Sequence, residues 1–117
     1  LLLGPKFYQG NPEAANRLVV AYVRGIRDYL NAFTKNVNKA EIVSILTKAT
    51  DVQDPTLYDR MAVIGVDPNG YVNAQSVASD QDWYFAQGLM QQKVDLSKVI
   101  DNQYVDYAVQ RLGKYQP

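Results

Sequence analysis

NPEAANRLVVAYVRGIRDYLNAF, Asn11 to Phe33, is the longest stretch of the chain that reads as one structural element. Its start is well marked. Asn11 can cap, Pro12 suits the first helical position because its missing N–H has no partner there, and Glu13 sits where the helix dipole favours an acid. Apolar residues then recur at helical spacing: Ala15, Leu18, Val19, Tyr22, Val23, Ile26, Tyr29, Leu30 and Phe33. Arg17, Arg24, Arg27 and Asp28 fall largely on the other side. The spacing predicts an amphipathic helix laid against a core. Gly25 sits inside it at a cost of about 1 kcal/mol relative to alanine, which a close helix crossing at that point would explain.

Working outward, Thr34 to Val37 is a polar connection, and Asn38 with Glu41 forms a capping-box pattern that opens a second helix. Ile42, Val43, Ile45, Leu46 and Ala49 give its buried stripe; Thr50 and Asp51 end it. Asp54-Pro55 repeats the start signal for a short helix carrying Leu57, Tyr58 and Met61. Asp67-Pro68-Asn69-Gly70 suits a type I turn, with proline second and glycine fourth. Its flanks, Val63-Ile64 and Tyr71-Val72, are so short that an irregular crossing is favoured over a hairpin. Asn73 caps the next helix and Gly88 ends it. Trp83, Tyr84 and Phe85 are consecutive and cannot share one face, so Trp83 and one neighbour are expected in the core. Residues 91–100 read as a connection with a local apolar cluster, Val94, Leu96, Val99 and Ile100. The last helix runs from Asp101 to Gly113, with Tyr104, Val105, Ala108 and Leu112 as its stripe. In the other direction, Leu1 to Tyr8 reads as a short extended segment, and Gln9-Gly10 as the turn into the long helix. The expected fold is mainly α: about five helices and a short N-terminal extended segment, in a single unit spanning residues 1–117.

The totals narrow the function. The chain has 117 residues, 47% of them apolar and 21% charged, with twelve basic and twelve acidic side chains and zero net charge. That is the composition of one globular unit, with no basic excess to attract nucleic acid. It holds no cysteine and no histidine. Disulfides, thiolate ligands, cysteine nucleophiles and imidazole bases are therefore all missing, and no metal site and no cofactor is expected. Nothing approaches a membrane span in length. The opening Leu1-Leu2-Leu3-Gly4 is too short for a signal-peptide core. It suggests a cut within a longer protein, through a buried strand.

Candidate chemical constellations are few. Asp67 to Asn73 invites a calcium reading, but the glycine is two positions early and no bidentate glutamate closes the loop. Asp80 and Asp82, with Asp95 and Asp101, could be cast as acid–base carboxylates. Side chains two apart on a helix do not meet, and a solvated face is the better reading. The nine tyrosines and single tryptophan fall mostly on apolar stripes, as in Tyr22, Tyr29, Tyr58 and Tyr104, so packing with hydroxyls at the surface is favoured over base stacking. Arg17, Arg24 and Arg27 read as a salt-bridged surface row. No catalytic residue is identified, and no enzymatic activity is expected.

Taken in order, the segments resemble the C-terminal portion of bacterial substrate-binding proteins of ABC importers. The branch is the one of type II periplasmic binding proteins that serves nitrate, sulfonate and taurine uptake and thiamine-precursor uptake. LLLGPKF looks like the family's apolar strand ending in a Ser/Gly-Pro-x-Phe step. In the long helix, Ala21-Tyr22, Arg24-Gly25 and Arg27-Asp28-Tyr29 stand in register with the family's. KAEIVSILTKATDVQDPTLYDRM resembles the next two helices, GVDPNGYVNAQSVASDQDWYFAQGLM the stretch after them, and VIDNQYVDYAVQRLGKY the terminal helix. The resemblance implies a helical piece of a two-lobed α/β protein in the periplasm. It implies a small organic or anionic substrate and an ABC permease as partners of the full-length protein. Most ligand contacts would lie upstream. Gly4, Pro5, Lys6 and Phe7 are the candidate ligand-binding residues nearest the expected cleft. The alternative is a free-standing helical module that self-associates through an exposed apolar helix face.

Overall fold

The structure, a computed structural model, describes residues 1–116. Its elements are α1 (Pro5–Gly10), α2 (Pro12–Lys35), α3 (Lys39–Ala49), a 3-10 turn at Pro55–Asp59, α4 (Ala74–Ala86), a second 3-10 turn at Leu96–Lys98, and α5 (Gln103–Leu112). No strand forms among the described residues, and the mainly α class holds.

The long helix starts where its sequence directs. The Asn11 side chain accepts the Ala14 N–H at 3.0 Å, with Pro12 in the first helical position and Glu13 in the first turn. One stripe of it, Ala15, Val19 and Val23, is buried against Tyr104 and Ala108 of α5. These residues recur every four positions on both helices, which aligns one row of side chains with the other. Alanine at 15 and 108, both without exposed surface, lets the two backbones approach closely. Tyr8, just before α2, meets Tyr104 at the start of α5, with ring centroids 6.3 Å apart. Further along, Arg27 reaches the Leu112 carbonyl at the end of α5. The two helices therefore lie side by side and run the same way.

A second, smaller cluster forms where α3 turns back. Phe33 stacks at 4.7 Å on Tyr29 and at 6.4 Å on Tyr58. Tyr58 is buried, and its hydroxyl donates to the Val52 carbonyl at 2.9 Å. Lys39 lies over the Phe33 ring and pairs with Asp59 at 2.6 Å. The Asp67–Gly70 turn closes as expected: the Gly70 N–H donates to the Asp67 carbonyl at 2.9 Å. No hairpin follows; the flanks cross irregularly. Asn73 caps α4 by accepting the Ser76 N–H. Gly88, at φ 71°, ends α4 with the paired bonds Leu89 to Tyr84 and Gly88 to Phe85 that define a Schellman stop.

Several expectations are corrected. Residues 5–10 are helical, not extended: Pro5 occupies the first position of α1, and the Phe7 N–H bonds back to the Gly4 carbonyl. A proline there serves a helix start as readily as a break. Within the segment expected to be extended, only residues 1–4 lack regular structure. The Asp54-Pro55 signal opens a single 3-10 turn, so the fifth α-helix is α1. Asn38 makes no capping bond, because it adopts the left-handed conformation (φ 52°) that turns the corner after Asn36 (φ 58°), whereas a capping side chain needs an extended backbone. Gly25 faces open space: a Cβ added there would meet nothing within 4 Å, so no helix crosses closely at that point. The close approach lies at Gly70, where a Cβ would meet Val23 Cγ2 at 2.9 Å. None of Trp83, Tyr84 and Phe85 enters the core; they are 56%, 47% and 44% exposed. Of the apolar cluster expected at 94–100, Val94 and Val99 are exposed.

Candidate functional site

Three features could carry function: a cavity, an uncovered surface and a polar cluster. The cavity, about 430 Å³, lies between residues 1–5, α2 and the start of α5. Its wall is mainly apolar, with Leu3, Tyr8, Val19 and Val105 contributing, and Lys98, Asp101 and Asn102 form a polar edge. Of the residues expected near a ligand cleft, Pro5 lines this cavity; Gly4, Lys6 and Phe7 are outside its wall. Gly4 is the residue preceding α1, and Lys6 and Phe7 are exposed on that short helix.

The uncovered surface is extensive. The helix pairs that pack extensively are α1–α2, α2–α5 and α2–α3, and α4 belongs to none of them, meeting α2 and α5 across the cavity through Val77. Along α4 the half-buried positions Val77, Ala78 and Gln81 share one face. Trp83 projects from the opposite face. Phe85 stays near the Lys93 ammonium, which also pairs with Asp82 at 2.7 Å. Leu2, Ile64, Leu89 and Val99 are exposed as well. The whole chain exposes 8687 Å² and has a radius of gyration of 16.9 Å. A compact monomer of this mass would expose about 6,400 Å² and have a radius of gyration of about 13 Å. The helices form a layer with one well-packed seam, and much of the remaining apolar surface is open.

The polar cluster centres on Arg27, and sequence reading placed that residue on the wrong side. Arg27 stands four positions after Val23, on the continuation of the buried stripe, where it meets the end of α5. Its Nε donates to the Pro68 carbonyl at 3.0 Å and Nη2 to Asn69 Oδ1 at 3.0 Å. Nη1 donates to the Leu112 carbonyl at 3.4 Å and Nη2 to the Gly113 carbonyl at 2.7 Å. The planar guanidinium thus ties the 67–70 turn to the carbonyl end of α5, where a cation is favoured. Tyr115 completes the cluster. Its N–H donates to Asn69 Oδ1 at 2.9 Å, and its hydroxyl to Asn31 Oδ1 at 2.6 Å. Its ring lies under Arg27 and Lys35, 5.9 and 5.1 Å from the centroid. The register of Val23 with Arg27 was the available signal. Among the described residues only Arg17 of the arginine row forms an ion pair, a long exposed one with Glu13 at 3.9 Å.

The acidic residues do structural work. Asp67 Oδ1 accepts the N–H groups of Asn69 and Tyr71, and Asp95 and Asp101 accept those of Ser97 and Gln103, two residues ahead of each. Hydrogen bonds from Thr56 hold the Asp54 carboxyl below its ordinary range. The Tyr71 hydroxyl donates to Asp106 at 2.7 Å, and that bond raises its pKa above the usual tyrosine value. Among the described residues no group of three acidic, histidine or cysteine side chains could hold a metal ion, and no helix is long and apolar enough to cross a membrane. In comparisons with known proteins, no protein family, characterised protein or solved structure matches the chain.

Proposed function

We propose that this chain is a helical layer of a solute-binding protein that captures a small organic or anionic substrate for an ABC importer. The observation that carries the reading is the open surface. A 13.2 kDa chain exposing 8687 Å², with helix α4 packed extensively on no other helix, has the form of a layer that another layer covers. The ordered resemblance of its segments to the C-terminal part of such proteins supports this reading of the larger protein. In this reading the substrate is held mainly by residues outside residues 1–117, and these helices give the lobe a rigid back and a surface for the permease. Lobe closure on the ligand would be a population shift between open and closed forms.

The test uses the complete polypeptide encoded by the reading frame that contains these residues. The remainder of a two-lobed α/β protein with an export signal, and a melting temperature that rises with added nitrate, taurine, alkylsulfonate or aminopyrimidine, are expected. A frame without lobe-forming sequence, or a complete protein that none of these ligands stabilises, sinks the proposal.

The exposed aromatic residues of α4 favour a second reading, a free-standing module that pairs with itself. A complete protein limited to these helices, dimeric by light scattering, would select it.

A further inference from the structure

We propose that α2 and the Asp67–Gly70 turn form a receptor for an extended, tyrosine-bearing peptide segment, and that residues 113–116 of the same chain occupy it as a releasable strap. The site reads a peptide in four ways. Arg27 takes two successive backbone carbonyls, of Leu112 and Gly113. Asn69 Oδ1 takes the next-but-one N–H, of Tyr115. Asn31 takes the phenol hydroxyl at 2.6 Å. Lys35 and Arg27 supply cations over the ring, and Lys35 also reaches the Gln116 carbonyl at 3.5 Å. Arg27, Asn31 and Lys35 repeat every four residues along α2, so one helix face presents the whole row.

The receptor and the strap are held differently. Asn69 is fixed independently of the strap, since its N–H bonds to Asp67 and Arg27 also holds Pro68. The strap, in contrast, leaves α5 at Gly113 (φ 75°), where the helix has ended. Among the described residues, every hydrogen bond that holds it comes from side chains of α2 or the turn, and its Lys114 and Gln116 are exposed. Segments fixed by a few polar bonds that are exposed or only part-buried open before a buried seam does. The vacated site would accept an equivalent segment of another chain: extended, with a tyrosine two residues after a carbonyl pair. This reading stands apart from the transport proposal and does not depend on it.

The test takes the full chain with Tyr115→Ala, which empties the ring and hydroxyl positions. The variant is titrated with the blocked peptide Gly-Lys-Tyr-Gln while the side-chain resonances of Arg27, Asn31 and Asn69 are followed by NMR. Saturable shifts of these three groups are expected. The Gly-Lys-Phe-Gln peptide should bind about three- to tenfold more weakly, from the loss of one hydrogen bond, and Gly-Lys-Ala-Gln should give no shifts. Hydrogen exchange on the unaltered chain gives a second readout that needs no variant: amides of 113–116 are expected to open at lower free energy than those of α2 and α5. Peptide that leaves the three resonances unmoved overturns the proposal. So does loss of α2 and α5 together with the strap, whether seen as unfolding of the Tyr115→Ala chain or as equal exchange.

Discussion

A Cβ added to Gly70 would lie 2.9 Å from Cγ2 of Val23, a side chain with no exposed surface. The turn therefore rests directly on the α2–α5 seam, and its glycine is required twice. Its φ of 87° disfavours any side chain, and Val23 has no room to move away. Gly70→Ala is expected to destabilise the chain by about 2–4 kcal/mol, combining backbone strain with overpacking. Urea denaturation followed by circular dichroism measures it; a loss under about 1 kcal/mol would contradict this account.

Gly25→Ala should do the opposite. Gly25 is exposed in the middle of α2 with open space around it. Alanine removes conformational freedom from the unfolded chain and improves helix propensity, a gain of about 0.5–1 kcal/mol. A destabilised variant would mean that something does press on this face of the helix.

Arg27→Lys is expected to destabilise by about 1–3 kcal/mol despite keeping the charge. An ammonium cannot hold Pro68, Asn69 and Gly113 at once in the fork that the guanidinium makes. Chemical denaturation of the two proteins at matched salt gives the difference. Equal midpoints would show that charge alone matters there.

The Tyr71–Asp106 bond makes a prediction about pH. The folded-state pKa of Tyr71 is raised above its ordinary value by donation to Asp106. The sign follows from linkage: the stabilisation is fully present below the unfolded tyrosine pKa of about 10 and is lost as pH rises through the higher folded value. Since Tyr71 is at the surface, the effect is small. The difference in melting temperature between the unaltered chain and Tyr71→Phe is expected to be constant up to about pH 9 and to shrink above about pH 10. A difference that grows with pH would reverse the assignment.

These effects divide along the line between local and long-range information. Asn11, Pro12 and Glu13 announced α2 because capping is settled within four residues. The Asp67–Gly70 turn, the Asn73 cap, the Gly88 stop and the α5 stripe were legible for the same reason. Pro5 was ambiguous: proline starts helices and interrupts strands, and the apolar Leu1–Leu3 run suggested the latter. Periodicity says which residues share a face but not whether anything lies opposite. Trp83, Tyr84 and Phe85 look like core residues in sequence and stand exposed in the structure. Arg27 is not legible as a centre in the sequence because its partners lie 41 to 86 residues away. The family resemblance points to Gly4, Pro5, Lys6 and Phe7 as candidate ligand residues, and the structure brings only Pro5 of these to the cavity wall.

The central claim is that these helices are a layer with an uncovered side. Small-angle X-ray scattering of the isolated chain across a concentration series addresses it directly. The account predicts an apparent mass that climbs above 13.2 kDa with concentration, as exposed apolar surface is covered by other copies. A mass of 13.2 kDa at every concentration, with a radius of gyration near the compact value of about 13 Å, would contradict it.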